Sequence, residues 1–146
     1  MKISYKGDYA LKSLIDLGLN WQGGLLTIAD MAERLDIPRK FLEQVLLNLK
    51  QAGCVESVRG KFGGYKLARP PKEIIIGNVV RLIDGPIEPI ACVNNSYTNC
   101  REMPDCVMRQ LWIRTTKAIT DIVDATTLED LINDERRRSQ VLEYCI

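Results

Sequence analysis

The chain has no histidine. That excludes imidazole as general base, proton shuttle or metal ligand, and it leaves any catalysis to carboxylates or thiols. No nucleophile–base pair stands out among those residues. The one glycine-rich stretch, GKFGGY at residues 60–65, lacks the lysine and hydroxyl of a nucleotide-binding loop and lies between two strand-like runs. An enzyme is not expected. Nor is there a run of about eighteen apolar residues to span a membrane. The opening MKISYKGDYALK turns polar and charged at once, unlike a leader peptide. A soluble, cytoplasmic protein is the expectation. The five cysteines include no Cys-x-x-Cys pair, so the common zinc spacings are missing as well.

Net charge is scarce overall, at +1, but it is unevenly spread. Residues 1–72 carry 12 Lys/Arg against 7 Asp/Glu, whereas residues 73–146 carry 8 against 12. A modestly basic half joined to an acidic one suits a sequence-specific DNA regulator better than a nonspecific DNA coater. A chain of 146 residues makes one domain with at most an appended element, and it can bury roughly two-thirds of its surface.

The basic half contains the stretch around which the rest is organised, Thr27 to Leu67. Thr27 and Asp30 have capping-box spacing and open a short helix through Ala29, Ala32 and Leu35. Asp36-Ile37-Pro38 ends it, and proline is well placed to begin a second helix, since its missing N–H costs least in the first turn. On that helix Leu42, Val45, Leu46 and Leu49 form an apolar stripe, flanked by Phe41 and Ala52. Lys40, Glu43, Gln44, Leu47 and Gln51 fall opposite. Arg39 and Lys40 can hold phosphate beside the helix N-terminus, and Glu43 and Gln44 have the reach to read base edges. Gly53 closes the helix. Val55 and Val58, then Tyr65 and Leu67, read as two strands joined by a glycine-rich turn that carries Arg59 and Lys61, a narrow cationic tip suited to a minor groove. Helix, turn, helix and hairpin together predict a winged helix-turn-helix, mostly α with a small β-hairpin wing.

Around this reader, Ser4 caps a first helix to about Asn20 with Ala10, Leu11, Leu14, Ile15, Leu17 and Gly18 on its apolar side. Trp21-Gln-Gly-Gly turns out of it into an extended Leu25-Leu26. Tyr5, Lys6 and Lys12 are further candidates to approach phosphate. After Pro70-Pro71, Gly77 to Asp84 reads as a helix with Val79, Val80, Leu82 and Ile83 inward and Gly85 as its stop. The longest helix is expected from Pro104 to about Asp124. Its stripe of Met108, Leu111, Trp112, Thr115, Ala118, Ile119 and Ile122 is too wide to leave in water, and the same helix of a second subunit is the simplest cover. Such a homodimer offers two recognition helices to the half-sites of a pseudo-palindromic double-stranded operator. Thr127 and Asp130 cap a last short helix to about Asn133, and DERRR onward reads as a frayed, solvated tail. The units are therefore a DNA-binding domain at 1–85, a cysteine-bearing loop at 86–106 and a dimerisation helix with tail at 104–146.

The loop is long for a compact domain, which points to function more than to a plain connection. Cys92, Cys100 and Cys106 fall in it or just after it, spaced C-x7-C-x5-C. In a chain without an export signal, three close thiols suggest a metal site more than a disulfide framework, and iron–sulfur clusters tolerate looser spacing than zinc. Free thiols and a regulatory disulfide are the alternatives. Cys54 reads as a small buried hydrophobe and Cys145 as a bystander.

MKISYKGDYALKSLIDL, FLEQVLLNLKQAGCVESVRGKFGGYKLA, IIIGNVVRLIDGPI and the cysteine loop together resemble the IscR/NsrR/CymR/RirA family of bacterial winged-helix transcription regulators. The likeness covers nearly the whole chain, and LEQ followed by RGxxGGY is specific to that family. It implies a homodimeric repressor or activator, in many members holding a [2Fe-2S] or [4Fe-4S] cluster on three loop cysteines, here Cys92, Cys100 and Cys106. The chain departs from one branch in having Val107, Met108 and Arg109 where a histidine completes the site. By analogy with nitric-oxide-sensing members, Asp8 of a partner subunit is the candidate fourth ligand, with Glu43, Glu102, Asp105 or water as others. Pro38 stands where members commonly have serine. The resemblance implies a regulator that senses iron–sulfur status and controls cluster-assembly genes. A nitric-oxide or iron sensor and a cluster-free cysteine-metabolism repressor are its alternatives.

Overall fold

The computed structural model describes residues 2–145. Its elements are α1 (Tyr5–Leu19), α2 (Ile28–Leu35), α3 (Arg39–Gln51), β1 (Val55–Val58), β2 (Gly64–Leu67), α4 (Ile76–Asp84), α5 (Val107–Ala125) and α6 (Leu128–Tyr144). The fold is mostly helical, with one antiparallel β-hairpin wing and a long C-terminal helical region. Helix α1 is its centre and packs on α2, α3, α4, α6 and the wing.

Local chemistry sets the helix ends. Ser4 Oγ accepts from Gly7 N at 3.0 Å, and Asp84, the last residue of α4, accepts from Ser4 N at 3.0 Å and from the Ser4 hydroxyl. A carboxylate thereby sits at the positive end of α1 and ties α4 to it. Gly7 must lack a side chain, because a Cβ there would run into that carboxylate. Helix α3 ends in a Schellman pair: Gly53 N donates to Lys50 O and Cys54 N to Leu49 O, both at 3.0 Å, with Gly53 at φ +69. At Thr27 only half of the box forms, with Oγ1 accepting from Asp30 N at 3.1 Å. Thr127 and Asp130 make both halves.

The core joins Ala10, Leu14 and Leu17 of α1 to Leu42, Val45, Leu46 and Leu49 of α3, with Val79, Val80, Leu128 and Ile132. One ion pair supports it from the side. Asp16, 8% exposed, accepts from Arg34 Nε at 2.7 Å and Nη2 at 2.8 Å, bracing α1 against α2.

Three expectations need correction. Leu82, placed inward on α4, is 43% exposed, because the buried arc of Ile76, Gly77, Val79 and Val80 turns it toward solvent. Ile119, expected in the α5 stripe covered by a second subunit, packs on the chain's own core. The tail after Asn133 is not frayed: α6 runs on to Tyr144. No proline or glycine interrupts it, and Asp134–Arg137 and Glu135–Arg138 pair one turn apart.

Helix α5 is clipped to α4 by a two-pronged pair, Arg81 Nη1 to Asp124 Oδ1 at 2.7 Å and Nη2 to Oδ2 at 2.9 Å. Gly77 makes room for it, since a Cβ would meet Asp124 and Arg81. Hydrogen bonds from Arg81 hold the Asp124 carboxyl below its ordinary value. A carboxylate so depressed stabilises the fold fully above the unfolded value and loses that contribution as pH falls through the folded one. Asp124→Asn should therefore cost about 0.5 kcal/mol at pH 7, as befits an exposed pair, and flatten the fall of melting temperature below about pH 4. Thermal melts of both proteins from pH 2 to 7 check this.

Candidate nucleic-acid interface and cysteine loop

Helix α3 presents the face that the sequence predicts. Leu42, Val45, Leu46 and Leu49 are buried, while Arg39, Lys40, Glu43, Gln44, Leu47 and Gln51 are all exposed. Pro38 caps without a side-chain bond, and its carbonyl accepts from Phe41 N at 2.9 Å and Leu42 N at 3.1 Å. Arg39 Nε lies 3.3 Å from Glu43 Oε1, and Gln44 Nε2 donates to Asn48 Oδ1 at 3.0 Å. These contacts are solvent-exposed, so they exchange at little cost for phosphates and base edges.

Phe41, expected on the flank of the core, is 60% exposed. With Tyr5, Lys6, Tyr9, Gln44 and Val45 it lines a groove of about 510 Å³ between α1 and α3. Lys6 thus borders the recognition helix, as a phosphate contact requires. Lys12 does not: it lies on the side of α1 that faces Leu35 of α2 and Leu131 and Glu135 of α6, paired with Asp8 at 2.7 Å.

The wing is anchored at its base and open at its tip. Its register pairs Val55 with Leu67 and Val58 with Gly64, burying Val55 and Leu67. Leu26 adds a third-strand bridge, with Leu26 N to Tyr65 O at 2.9 Å and Tyr65 N to Leu26 O at 2.8 Å. Gly64 lets that backbone approach, since a Cβ would stand 2.6 Å from Leu26 O. Lys50 Nζ donates to Ser57 Oγ at 2.6 Å, fixing the hairpin to the end of α3. Sequence reasoning missed this brace, for nothing in the spacing of Lys50 and Ser57 announces it. Arg59 and Lys61 are exposed on the tip.

The three loop cysteines occupy different local structures. Cys92 sits in a 3-10 turn, Ala91–Val93; Cys100 lies in the loop; Cys106 is the residue from which α5 starts. All three are half-buried and free. As donors they suit an iron–sulfur cluster, which takes thiolates. As placed they do not fit one, because among the described residues no three Cys, Asp or Glu side chains approach closely enough to hold a metal ion. Asp8, the candidate fourth ligand, makes an exposed ion pair with Lys12, and Glu43 one with Arg39, pairs that exchange at little cost. Glu102 and Asp105 are exposed on the loop.

Arg109, which stands where one branch of the family has its histidine region, organises the loop. Its Nε donates to Cys92 O at 2.8 Å and its Nη2 to Asn95 Oδ1 at 3.2 Å, pinning the Cys92 turn to the first turns of α5. A cation 17 residues from the carbonyl it binds leaves no sequence signal. Cys54 is 4% exposed, as a small hydrophobe should be, with Arg69 Nη2 3.6 Å from its sulfur. Cys145 is exposed.

On α5 the two sides differ. Ile119 and Val123 pack on the core, whereas Met108, Leu111 and Ile122 are 49%, 45% and 68% exposed and Ala118 lies open beside them. Among the described residues, no helix is long and apolar enough to cross a membrane.

Comparison with known proteins agrees with this architecture. The family model described as Rrf2, iron-dependent transcriptional regulator, matches residues 3–134. The HTH-type transcriptional regulator CymR of Bacillus subtilis is 37% identical over 131 residues, which are 90% of this chain and 89% of the relative. The solved structure of CymR, the global cysteine regulator of B. subtilis, is similar with a TM-score of 0.77 and 34% identity, covering 91% of this chain and 97% of that one. IscR of T. potens is similar with a TM-score of 0.73 and 31% identity over 92% of this chain and 88% of its own. Proteins of this kind regulate transcription and are not enzymes. With the helix-turn-helix, the wing and a match along nearly the whole length all in agreement, the chain belongs to the Rrf2/IscR/CymR family of winged-helix transcriptional regulators.

Proposed function

We propose that this chain binds a pseudo-palindromic operator as a homodimer and changes its DNA affinity in response to a signal received at the 92–106 loop. The observation that carries the DNA reading is the joining of a free polar α3 face and a cationic wing tip into one braced unit, through Lys50 and Ser57. The open side of α5 supports the dimer, since Met108, Leu111, Ala118 and Ile122 form an apolar strip that a second copy covers.

For the signal, the geometry favours a cluster-free regulator, as in the cysteine-regulator likeness: among the described residues no three Cys, Asp or Glu side chains are placed to hold a metal ion, and Arg109 already holds the Cys92 turn in place. A second reading, a sensor of iron–sulfur status, nitric oxide or iron, has its own support. Three thiols lie within one loop, and the matching family is described as iron-dependent. Anaerobic purification without chelator, followed by iron and acid-labile sulfide assays on wild type and Cys100→Ala, separates the two. Iron and sulfide in the wild type alone establish the sensor. Their absence from both establishes the cluster-free regulator.

The DNA reading is tested with a duplex enriched by the wild-type protein from a random pool. Arg59→Ala should weaken binding roughly tenfold. A salt slope lower by about one marks a phosphate contact, and relaxed sequence preference marks groove reading. Unchanged affinity would remove the wing from the interface.

A further inference from the structure

The wing tip carries one group that neither the fold nor the cationic reading of the tip uses. Phe62 is 86% exposed. It contributes nothing to the core, and its apolar ring stands in water on a segment otherwise made of Arg59, Gly60, Lys61 and Gly63. The turn holds it there. Gly63 N donates to Gly60 O at 3.0 Å, which makes Lys61 and Phe62 the two corner residues of a closed turn. Gly60 has φ +116, and a Cβ on Gly63 would collide with Val58 O. The turn therefore has a defined shape, closed by that hydrogen bond. The hairpin contacts α3 through Lys50 and Ser57 and Leu26 through Tyr65, so the ring is carried on the same unit as the recognition helix.

The neighbours of the ring identify its counterpart. Lys61 Nζ lies 5.7 Å from the ring centroid, over the ring, and Arg59 is exposed three residues before it. A matching surface must offer an apolar contact framed by negative charge. Stacked bases between two phosphate rails offer that combination, and the narrow tip can reach them from the minor groove, where apolar side chains are known to enter base steps.

We propose that Phe62 is a wedge that enters the minor groove beside the recognition helix and partly unstacks one base step of the operator. Arg59 and Lys61 take up the flanking phosphates as it enters. The wing then reads deformability: pyrimidine–purine steps open most easily, so the flank of the operator is selected for them without a base-edge hydrogen bond. This rests on the DNA-binding reading above and adds to it a specificity-determining residue.

The test uses full-length protein and a duplex of about 30 base pairs enriched from a random pool by the wild type, sized to span two half-sites about one helical turn apart with their flanks. Binding of wild type, Phe62→Ala and Phe62→Leu is followed by fluorescence anisotropy at several salt concentrations. In parallel, 2-aminopurine is placed at each wing-facing step in turn. We expect Phe62→Ala to bind roughly tenfold more weakly, in line with the loss of one stacking contact, with an unchanged salt slope because no phosphate contact is removed. Phe62→Leu should retain most of the affinity. The 2-aminopurine signal should rise at one flanking step with wild type and stay flat with Phe62→Ala. Repeating the enrichment with Phe62→Ala should erase any pyrimidine–purine preference at the flank and leave the central half-sites as before. Equal affinity and an equal 2-aminopurine response for wild type and Phe62→Ala overturn the wedge while leaving the DNA reader intact. A lowered salt slope also overturns it, since the ring would then serve only to place Lys61. If the wild type enriches no sequence, the DNA-binding reading itself fails and the wedge fails with it.

Discussion

Replacing Leu111 with aspartate should convert the proposed dimer to monomers and weaken operator binding about 100-fold or more. Leu111 is 45% exposed at the middle of the open strip formed by Met108, Ala118 and Ile122. A carboxylate there must lose hydration to enter an apolar helix–helix contact, a penalty of several kcal/mol for a buried charge, which a pairing with the exposed Arg114 one turn on offsets only in part. The free chain tolerates the change, because in the protomer the position already faces water. Affinity falls steeply because two linked half-site contacts reinforce one another by about 10²–10⁴-fold, and a monomer keeps only one. Sedimentation equilibrium should give the monomer mass for the variant and twice that for wild type. Anisotropy on the enriched duplex should show the matching loss. A variant that sediments with the wild type sinks the assignment of this strip as the dimer contact.

The largest effect on folding is expected from Leu46→Ala, at about 2–5 kcal/mol. Leu46 is wholly buried, as are Leu14, Leu42 and Leu49 around it. Truncation removes three carbons from a site where α1 and α3 meet, and two packed helices cannot collapse far enough to refill the space. Against a total stability of about 5–15 kcal/mol for an ordinary domain, that loss lowers the melting temperature by roughly 10 °C. The adjacent residue supplies the control. Leu47 is 48% exposed on the opposite side of the same helix, so Leu47→Ala should change stability by no more than about 0.5 kcal/mol. Circular dichroism melts of the two variants decide it, and equal destabilisation would show that the facing of α3 is wrong. Leu47→Ala also leaves the fold intact for DNA measurements on the free face.

Much of the fold was legible because the signals were local. Ser4, Thr27 and Thr127 cap the helices they were expected to cap, and Gly53 terminates α3 through its left-handed backbone. The α3 stripe of Leu42, Val45, Leu46 and Leu49 fixed which residues face outward, since a helix rotates by a constant angle per residue. The misreadings share a cause. The segment after Asn133 is polar and lacks an apolar stripe, so burial gave no clue to α6, whose length comes from one-turn ion pairs and the absence of a breaker. Leu82 and Ile119 are both apolar residues on amphipathic helices, and the sequence cannot say which edge of an apolar arc meets the protein's own core and which meets solvent or a partner.

For the candidate site the division is sharper. By itself the sequence determined the chemistry available: a basic first half, a polar helix face with Arg39, Lys40, Glu43 and Gln44, a cationic turn with Arg59 and Lys61, and three thiols without an imidazole. These follow from residue identity and from periods of one helical turn, which hold wherever the chain folds. Only the tertiary structure decided that Lys50 of α3 meets Ser57 of the wing, that Arg109 holds the Cys92 turn, and that Cys92, Cys100 and Cys106 do not gather into a three-ligand metal site within the protomer. Each of these depends on where a chain reversal returns. Seven or five intervening residues in a loop set how far two thiols can separate, but not how near they come, since that depends on contacts such as that of Arg109 with the Cys92 carbonyl, made between residues far apart in sequence.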